Sequence, residues 1–422
     1  NAPAAAAPTA AGTVAQTGST VDVTYWGSFS GGLGEAEQAM VSAFNESQGD
    51  VKVNYQFQGT YEETAQKLTA ALQANNTPDV SLLSDVWWFK FYLAKAIAPL
   101  DDLAAGANID FADFQPVLLE EGTRDGQHFW VPFARSTPLF YYNKDMWAEA
   151  GLPDRGPETW AEMTEWAPQL LQKDGDTITR AAFAHPSAAS YVAWLFQGVI
   201  WQHGGEYSTP DFKITLNSPE GIRAAELYRQ SVNGADAWAI ASQDINKDFL
   251  GGVAASMMAS TGGLAGYEKD ATFQVGTAFL PKEENFGCCT GGAGLAVMAA
   301  APAERQQAAM KFIEFATNTA GTTTWSQSTG YMPVRKSAVE SADMKSFFQE
   351  RPNFKVAVDQ LPQTRAQDAA RVFIAGGDQI IGKGLERIIV GNEDPATVWP
   401  DVTAELEKGA EPVLRDLAAL GA

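Results

Sequence analysis

The histidines of this chain are too few and too scattered to indicate a metal or proton-transfer site. They are His128, His185 and His203, and no two of them have the spacing of a zinc-binding His-Glu-x-x-His helix. The sequence also has no Gly-x-Ser-x-Gly turn for a nucleophilic serine and no P-loop for a nucleotide phosphate. We therefore expect no metal, no cofactor and no catalytic residue, and we predict that the protein is not an enzyme.

The two cysteines, Cys288 and Cys289, are adjacent in the sequence. Adjacent cysteines are too constrained to form an ordinary disulfide, and without a nearby Cys or His partner they make a poor zinc site. We therefore expect both of them to be small buried residues.

The charge of the chain excludes some partners and leaves one enzymatic alternative open. Acidic residues outnumber Lys and Arg by 51 to 29, which gives a formal net charge of -22. Nucleic acids and anionic membranes are bound by clustered Lys and Arg, so neither is expected to bind. A pair of catalytic carboxylates is defined by its separation in space, and a glycoside or phosphodiester hydrolase therefore remains an alternative.

Strand-like and helix-like segments alternate along the chain and predict an α/β fold. Apolar alternation indicates strands at 21–26, 51–57, 79–83, 129–133, 139–142, 253–258, 273–279 and 295–298. Helical periodicity indicates helices at 35–45, 61–74, 160–171, 189–202, 219–231, 304–316 and 395–420. Alternation of this kind predicts a parallel sheet with crossover helices, and 422 residues predict two domains. Turns are expected at 134–137 and 290–294, where polar residues and glycines cluster.

The first residues of the chain differ in composition from the rest. Residues 1–20 are rich in Ala, Pro, Thr, Ser and Gly and contain almost no large apolar side chain. Such a segment cannot bury enough surface to fold, so we expect a disordered tether. A secretory signal or a lipidated residue upstream would explain it, and we expect the protein to be extracytoplasmic and anchored by a lipid to the membrane, or periplasmic.

Several segments, in this order, resemble the extracellular solute-binding proteins of carbohydrate-type ABC importers. They are Tyr25-Trp26, Asn76 to Val80, Pro138 to Trp147, Gly151 to Pro153 with Thr159-Trp160, and Thr329 to Val334. Other segments are similar more narrowly to the glycerophosphodiester-binding proteins of Ugp-type importers. These are Asp85 to Phe89, Ala134 to Pro138, Ala259 to Gly262, Thr290 to Gly294 and Gln367 to Phe373.

The resemblance implies a two-lobed periplasmic-binding-protein-like fold with a hinge and a central ligand cleft. It places the N-terminal lobe at 21–133 and 286–331, and the C-terminal lobe at 134–285 and 332–422. The implied function is capture of a glycerophosphodiester between the lobes, with glycerophosphocholine favoured over glycerol-3-phosphate, and delivery to the transmembrane permease subunits. We expect a monomer.

The resemblance also assigns ligand contacts. They fall on Tyr61, Asp85, Ser136, Ser260, Gly292, Tyr331 and Arg371. Arg371 offers a planar fork of donors suited to a phosphate, and its structural alternative is a surface salt bridge. Asp85 suits glycerol hydroxyls, and its structural alternative is a helix N-cap. For the other residues, the alternatives are turn, hinge or packing roles.

One further position departs from the family pattern. Bacterial relatives have Trp or Leu beside the glycerol or phosphate, where this chain has Tyr191. A tyrosine can hydrogen-bond a headgroup or cover a quaternary ammonium with its ring face. A second interpretation of the same fold is an oligosaccharide-binding protein whose cleft uses stacked rings, namely Trp26, Trp87, Trp88 and Trp201.

Overall fold

The computed structural model describes residues 20–421, so residues 1–19 of the predicted tether lie outside the described residues. Two five-stranded sheets organise the described chain. The strands of the first sheet, in spatial order, are Val51–Phe57, Val21–Gly27, Val80–Ser84, Gly291–Val297 and Val131–Ser136. Those of the second sheet are Ala239–Ser242, Phe183–Pro186, Ser256–Ser260, Pro138–Asn143 and Val275–Ala278. The predicted α/β fold with two sheet-containing lobes is confirmed.

Helices surround both sheets. Up to residue 202 they are Gly31–Ser47, Tyr61–Gln73, Trp88–Leu93, Asp101–Gly106, Pro116–Glu120, Lys144–Glu149, Trp160–Leu170 and Ala189–Gln202. The later helices are Pro219–Asn233, Ile245–Leu250, Leu264–Asp270, Ala303–Thr317, Thr319–Thr329, Lys336–Glu340, Ala342–Glu350, Lys355–Gln360, Ala369–Val372, Gly377–Ile389 and Pro395–Leu420. Short 3₁₀ helices lie at Phe111–Asp113, Thr261–Gly263, Pro352–Phe354 and Leu361–Gln363. Within residues 20–421, no helix is both long and apolar enough to cross a membrane.

Two small hairpins complete the secondary structure. Thr123–Arg124 pairs with Gln127–His128, and Gln172–Asp174 pairs with Thr177–Arg180. Both stand apart from the two large sheets.

The prediction of a parallel sheet is only partly right. Val21–Gly27 runs parallel to both of its neighbours, as crossover helices require. Gly291–Val297 is antiparallel to both neighbours in the first sheet, and Pro138–Asn143 is antiparallel to both neighbours in the second. Each of these two strands follows a passage of the chain from one sheet to the other, so no local crossover helix sets its direction.

The predicted polar turn at 134–137 is wrong, because Ala134, Arg135 and Ser136 continue the strand Val131–Ser136. Only Thr137 separates this strand from Pro138–Asn143 in the other sheet. The chain therefore passes between the sheets in a single residue. The residue bounds that the resemblance implies for the two lobes stay a prediction.

The predicted glycine-rich turn at 290–294 is also wrong, since Gly291–Val297 is a strand. Glycine in a strand marks a place where another group approaches the backbone closely. A Cβ on Gly291 would lie 2.4 Å from the Trp194 indole nitrogen, and one on Gly294 would lie 2.2 Å from the Trp130 ring. Close packing by tryptophan, and not turn formation, accounts for these glycines.

The two cysteines are both fully buried and free, as the sequence predicts. Cys289 Sγ lies 3.3 Å from the Trp194 carbonyl oxygen. Burial raises the pKa of Cys288 to about 12, so its thiol stays protonated at neutral pH.

Candidate ligand-binding site

A cavity of about 600 Å³ lies where strand ends of both sheets meet, and we call it the ligand cavity. Its walls contain every residue to which the sequence resemblance assigned a ligand contact. The lining residues are Thr60, Tyr61, Glu62, Ser84, Asp85, Val86, Trp87, Ser136, Ala188, Ala189, Ser190, Tyr191, Trp194, Ser260, Gly292, Tyr331, Arg371, Asp378 and Gln379. The volume suits a small organic molecule.

Among the described residues, Arg371 is the only basic one that lines the ligand cavity. Its surface is 4% exposed, so the alternative of a surface salt bridge is wrong. Nη1 donates to Gln367 and lies 3.7 Å from Asp85 Oδ2, and Nη2 donates to the Ser190 carbonyl at 3.2 Å. The buried Nε has no hydrogen-bond partner in the described chain. Since a guanidinium has five N–H donors, the side chain keeps donors for an anionic ligand.

Asp85 follows the buried strand Val80–Ser84 and holds the other end of this polar network. Its Oδ1 accepts from the backbone N–H of Val86 at 2.9 Å, and its Oδ2 accepts from Gln367 Nε2 at 2.5 Å. It does not cap the next helix, whose N-cap is Trp87, so the N-cap alternative is wrong. Gln367 thus joins the carboxylate of Asp85 to the guanidinium of Arg371.

Tyr191 and Ser260 form a pair of hydroxyls that each already accept one hydrogen bond. The Tyr191 hydroxyl accepts from the backbone N–H of Ser260 at 2.8 Å. The Ser260 hydroxyl accepts from the N–H of Gly262 at 3.1 Å, which is the turn chemistry that the sequence suggested as its alternative role. Neither hydroxyl donates to another described residue, so both O–H groups can donate to an acceptor inside the cavity.

Gly292 lies inside the strand Gly291–Val297, not in a turn. Its φ is 104°, and a Cβ there would lie 2.0 Å from the Ala134 carbonyl oxygen. Its own carbonyl accepts from the Asp85 N–H at 2.9 Å. Only glycine fits these conditions, and the bare backbone leaves room for a ligand beside Asp85.

Two tyrosines form the wall on the side of the first sheet. Tyr61 is the first residue of the helix Tyr61–Gln73, which begins with a capping box between Thr60 and Glu63. Burial, reinforced by the nearby Tyr331 hydroxyl, raises the pKa of Tyr61 well above its ordinary value. Burial also raises the pKa of Tyr331 to about 12. Both phenols are therefore neutral at pH 7 and can act as hydrogen-bond donors.

Tyr331 also has the structural role that the sequence suggested. Its ring stacks on Trp325 at a centroid distance of 5.7 Å, and a Cβ on Gly262 would lie 2.7 Å from the tyrosine ring. The ring thus fixes the turn that follows Ser260. Ser136 is the last residue of its strand and is 3% exposed, at the passage between the sheets.

Sequence reasoning missed several residues in and behind the wall of the ligand cavity. Ser190 contributes a backbone carbonyl, which no sequence pattern reveals. Gln367 belonged to a family segment without a role, and it lies just before the helix Ala369–Val372 that carries Arg371. Asp378 follows the Gly376-Gly377 pair that begins the helix Gly377–Ile389, and it was not considered.

A second cavity of about 470 Å³, the back cavity, lies on the other side of the segment that carries Gln367. Its walls include Phe89, Arg124, Phe212, Asp368 and Phe373. The Arg124 guanidinium lies 4.2 Å from the centre of the Phe373 ring. No group of His, Cys, Asp and Glu in residues 20–421 is arranged to hold a metal ion.

Of the four tryptophan rings suggested for sugar stacking, three do not line the ligand cavity. Trp88 is fully buried in the core, and Trp201 donates to Asp368 behind the ligand cavity. Trp26 donates to Gln56 on the first sheet. Only Trp87 lines the ligand cavity, so the structure weakens the case for an oligosaccharide cleft.

Comparison with known proteins agrees with this geometry. Residues 39–376 match the family described as bacterial extracellular solute-binding protein. The chain is 27% identical over 356 residues to the sn-glycerol-3-phosphate-binding periplasmic protein UgpB of Pectobacterium atrosepticum, covering 81% of this chain and 79% of the relative. It is 26% identical to UgpB of Escherichia coli K12 over 355 residues, covering 80% of each.

Solved structures give the same result. The crystal structure of UgpB from Mycobacterium tuberculosis in complex with glycerophosphocholine is 41% identical, with a TM-score of 0.88, and covers 94% of this chain and 100% of that one. The cyclic alpha-maltosyl-1,6-maltose binding protein of Arthrobacter globiformis, at 24% identity and a TM-score of 0.76, covers 94% and 100% and shares the fold. The family match spans most of the chain, and the protein therefore belongs to the bacterial extracellular solute-binding proteins, which act outside the cytoplasm.

Proposed function

We propose that this protein is the solute-binding subunit of an ABC importer and that its solute is a glycerophosphodiester, with glycerophosphocholine favoured over glycerol-3-phosphate. The observation that carries the proposal is the buried Arg371 guanidinium, which lines the ligand cavity and keeps N–H donors that no described residue uses. The M. tuberculosis relative, whose crystal structure is a complex with glycerophosphocholine, supports the same class of solute. The eight sequence-predicted residues would make the contacts.

The donors of the cavity match the chemistry of a phosphodiester. Arg371 supplies charged N–H groups, while Ser260 and Tyr191 supply O–H groups that donate to no other described residue. Phosphate oxygens only accept hydrogen bonds, so a set of unused donors favours them. The carboxylate of Asp85 is the acceptor available to the glycerol hydroxyls.

The charge of the cavity favours a diester over glycerol-3-phosphate. Arg371 is the one basic lining residue, and Asp85 already lies within 3.7 Å of it. A phosphate monoester carries close to two negative charges at neutral pH, whereas a diester carries one. Transfer of the second charge into a buried cavity without a second cation is costly.

Binding would couple to closure of the two lobes. Arg371 and Ser190 lie on elements that pack with the second sheet, while Asp85 and Tyr61 follow elements of the first. A solute that touches both groups stabilises the closed state, because it makes all its contacts only there. We propose that the closed, loaded protein then docks as a monomer on the transmembrane permease subunits. A lipid anchor at the start of the chain would keep it near them.

Isothermal titration calorimetry with glycerophosphocholine tests the proposal. We expect saturable binding with one site, and weaker binding of glycerol-3-phosphate. Folded protein that gives no heat with millimolar glycerophosphocholine, and that binds a neutral oligosaccharide instead, would overturn it. Incubation of the protein with glycerophosphocholine should release neither choline nor glycerol-3-phosphate, and release of either would favour the hydrolase alternative.

A further inference from the structure

Asp378 is a buried carboxylate that faces the ligand cavity without a partner. Its surface is 6% exposed, and it belongs to the lining of the cavity. Its carboxylate forms no hydrogen bond and no ion pair with any described residue, in contrast to Asp85. Isolated buried charges are costly, so a carboxylate kept in such a place points to a ligand that supplies the missing partner.

The helix that carries Asp378 packs against the helix that carries Tyr191, the residue that departs from the family pattern. Gly382, one helical turn further along, touches the chain at Ala189 so closely that a Cβ would lie 1.8 Å from the Ala189 carbonyl oxygen. The first turn of the helix Gly377–Ile389 is therefore held against Ala188 to Tyr191. Asp378 and Tyr191 therefore lie on two helices that pack against each other, and both residues line the ligand cavity.

Aromatic rings complete the surroundings of this carboxylate. Tyr191 and Trp194 lie with ring centroids 5.6 Å apart, and Trp87 lines the same cavity. Ring faces attract organic cations, and a carboxylate adds a full opposite charge. A neutral or anionic group would gain neither the attraction of the ring faces nor that of the carboxylate.

We propose that Asp378, with the ring of Tyr191, binds the cationic headgroup of the solute and so selects phosphodiesters that carry a quaternary ammonium or amine. The phosphate then lies at Arg371 and the positive headgroup at Asp378. This inference rests on the proposed function, because it requires a glycerophosphodiester in the ligand cavity. It adds a specificity-determining residue to the predicted set.

The helix N-terminus offers a competing role for Asp378, since an acidic residue in a first turn stabilises a helix. Asp343 is a matched control, because it occupies the same second position of the helix Ala342–Glu350 away from the ligand cavity. Substitution of either residue by Asn removes the first-turn charge. Only Asp378→Asn should change the choice of headgroup.

The test compares two diesters by calorimetry: glycerophosphocholine, with a cationic headgroup, and glycerophosphoglycerol, with a neutral one. We expect the wild-type protein to bind the choline diester about tenfold more tightly, an ordinary effect of one favourable charge contact. In Asp378→Asn the two affinities should agree within about twofold, a difference too small for one charge contact, while Asp343→Asn should keep the wild-type ratio.

Each other outcome overturns the inference. Equal affinities in the wild-type protein would refute it and leave the proposed function standing, as would an Asp378→Asn protein that loses affinity for both diesters alike. If the wild-type protein bound neither diester, the proposed function would fail first. Equal wild-type affinities would refute the inference even if Asp378→Asn does not fold.

Discussion

The ligand cavity and the back cavity are similar in size and share the wall that carries Gln367, yet their polar groups differ. In the back cavity, Asp368 accepts from Gln197, Trp201 and the Tyr207 N–H, at distances of 2.7 to 3.2 Å. In the ligand cavity, Arg371 Nε, the hydroxyls of Tyr191 and Ser260 and the carboxylate of Asp378 keep capacity to bind.

A binding site is therefore identified less by the volume of a cavity than by the unpaired polar groups that line it. Buried polar groups are normally paired, and unpaired ones require an explanation. In the back cavity, the fold itself supplies hydrogen-bond partners to the carboxylate of Asp368. In the ligand cavity, Arg371, Tyr191, Ser260 and Asp378 keep groups that can bind a solute. Substitutions on the two sides of Gln367 should therefore have different effects.

The largest effect is expected from Arg371→Ala. Charged hydrogen bonds contribute roughly 1.5–3 kcal/mol each, so the loss of two should weaken glycerophosphocholine binding by about 100-fold or more. A neutral sugar would be affected much less. The matched control is Arg365→Ala, which removes a guanidinium stacked 3.7 Å from the Trp201 ring centre. Calorimetry should find the control close to wild type, and equal losses in both would contradict the comparison.

Gln367→Ala should have the next largest effect, about a tenfold loss of affinity. The amide lines the back cavity but orients both Asp85 and Arg371 in the ligand cavity. Its loss leaves two charged groups without their shared neighbour. Gln363→Ala, at an exposed position of the preceding 3₁₀ helix, is the control for the titration. If Gln367→Ala bound glycerophosphocholine with unchanged affinity, Gln367 would have no role in orienting Asp85 and Arg371 for the ligand.

Two serines provide a smaller and closely matched test. Ser260 in the ligand cavity and Ser208 in the back cavity each accept from a backbone N–H, at 3.1 and 2.8 Å. Ser260→Ala should weaken glycerophosphocholine binding by about fivefold, since it removes one donor to an anion. Ser208→Ala should lower the free energy of unfolding by about 1 kcal/mol and leave the affinity unchanged. The reverse pattern in calorimetry and urea unfolding would contradict the account.

The smallest effect on ligand binding is expected for Asp368, which instead gives the back cavity a pH dependence of stability. Burial raises the pKa of Asp368 to about 6, above its value in an unfolded chain. The folded state therefore binds the proton more tightly, and the wild-type protein gains stability from this group as the pH falls from about 7 to 4. Asp368→Asn should lack that gain. Urea unfolding of both proteins across this range measures it, and a constant or opposite difference would refute the assignment.

The sequence predicted the limits of two long helices correctly and the limits of two strands wrongly. The helices Ala189–Gln202 and Pro395–Leu420 have the predicted limits because their apolar periodicity is long and regular. The strands Val131–Ser136 and Gly291–Val297 extend through residues that resemble turns. Their neighbours in space are what make Arg135 and Gly292 strand residues, and no local pattern contains that information.

The ligand cavity was predicted through resemblance and not through chemistry. Arg371 alone suggested a surface ion pair, and Asp85 alone suggested an N-cap. The fold brings them together through Gln367, which lies 282 positions from Asp85 in the sequence. Asp378 was missed because an acidic residue at the start of a helix is ordinary, and only its burial without a partner makes it informative.

A crystal structure of the protein grown with glycerophosphocholine would test the central claim most directly. We expect one solute molecule in the ligand cavity. Its phosphate should be hydrogen-bonded to Arg371 and its glycerol should lie at Asp85. Its trimethylammonium group should lie against Asp378 and the Tyr191 ring. The back cavity should contain only water. A solute in the back cavity, or a phosphate that makes no contact with Arg371, would contradict the account.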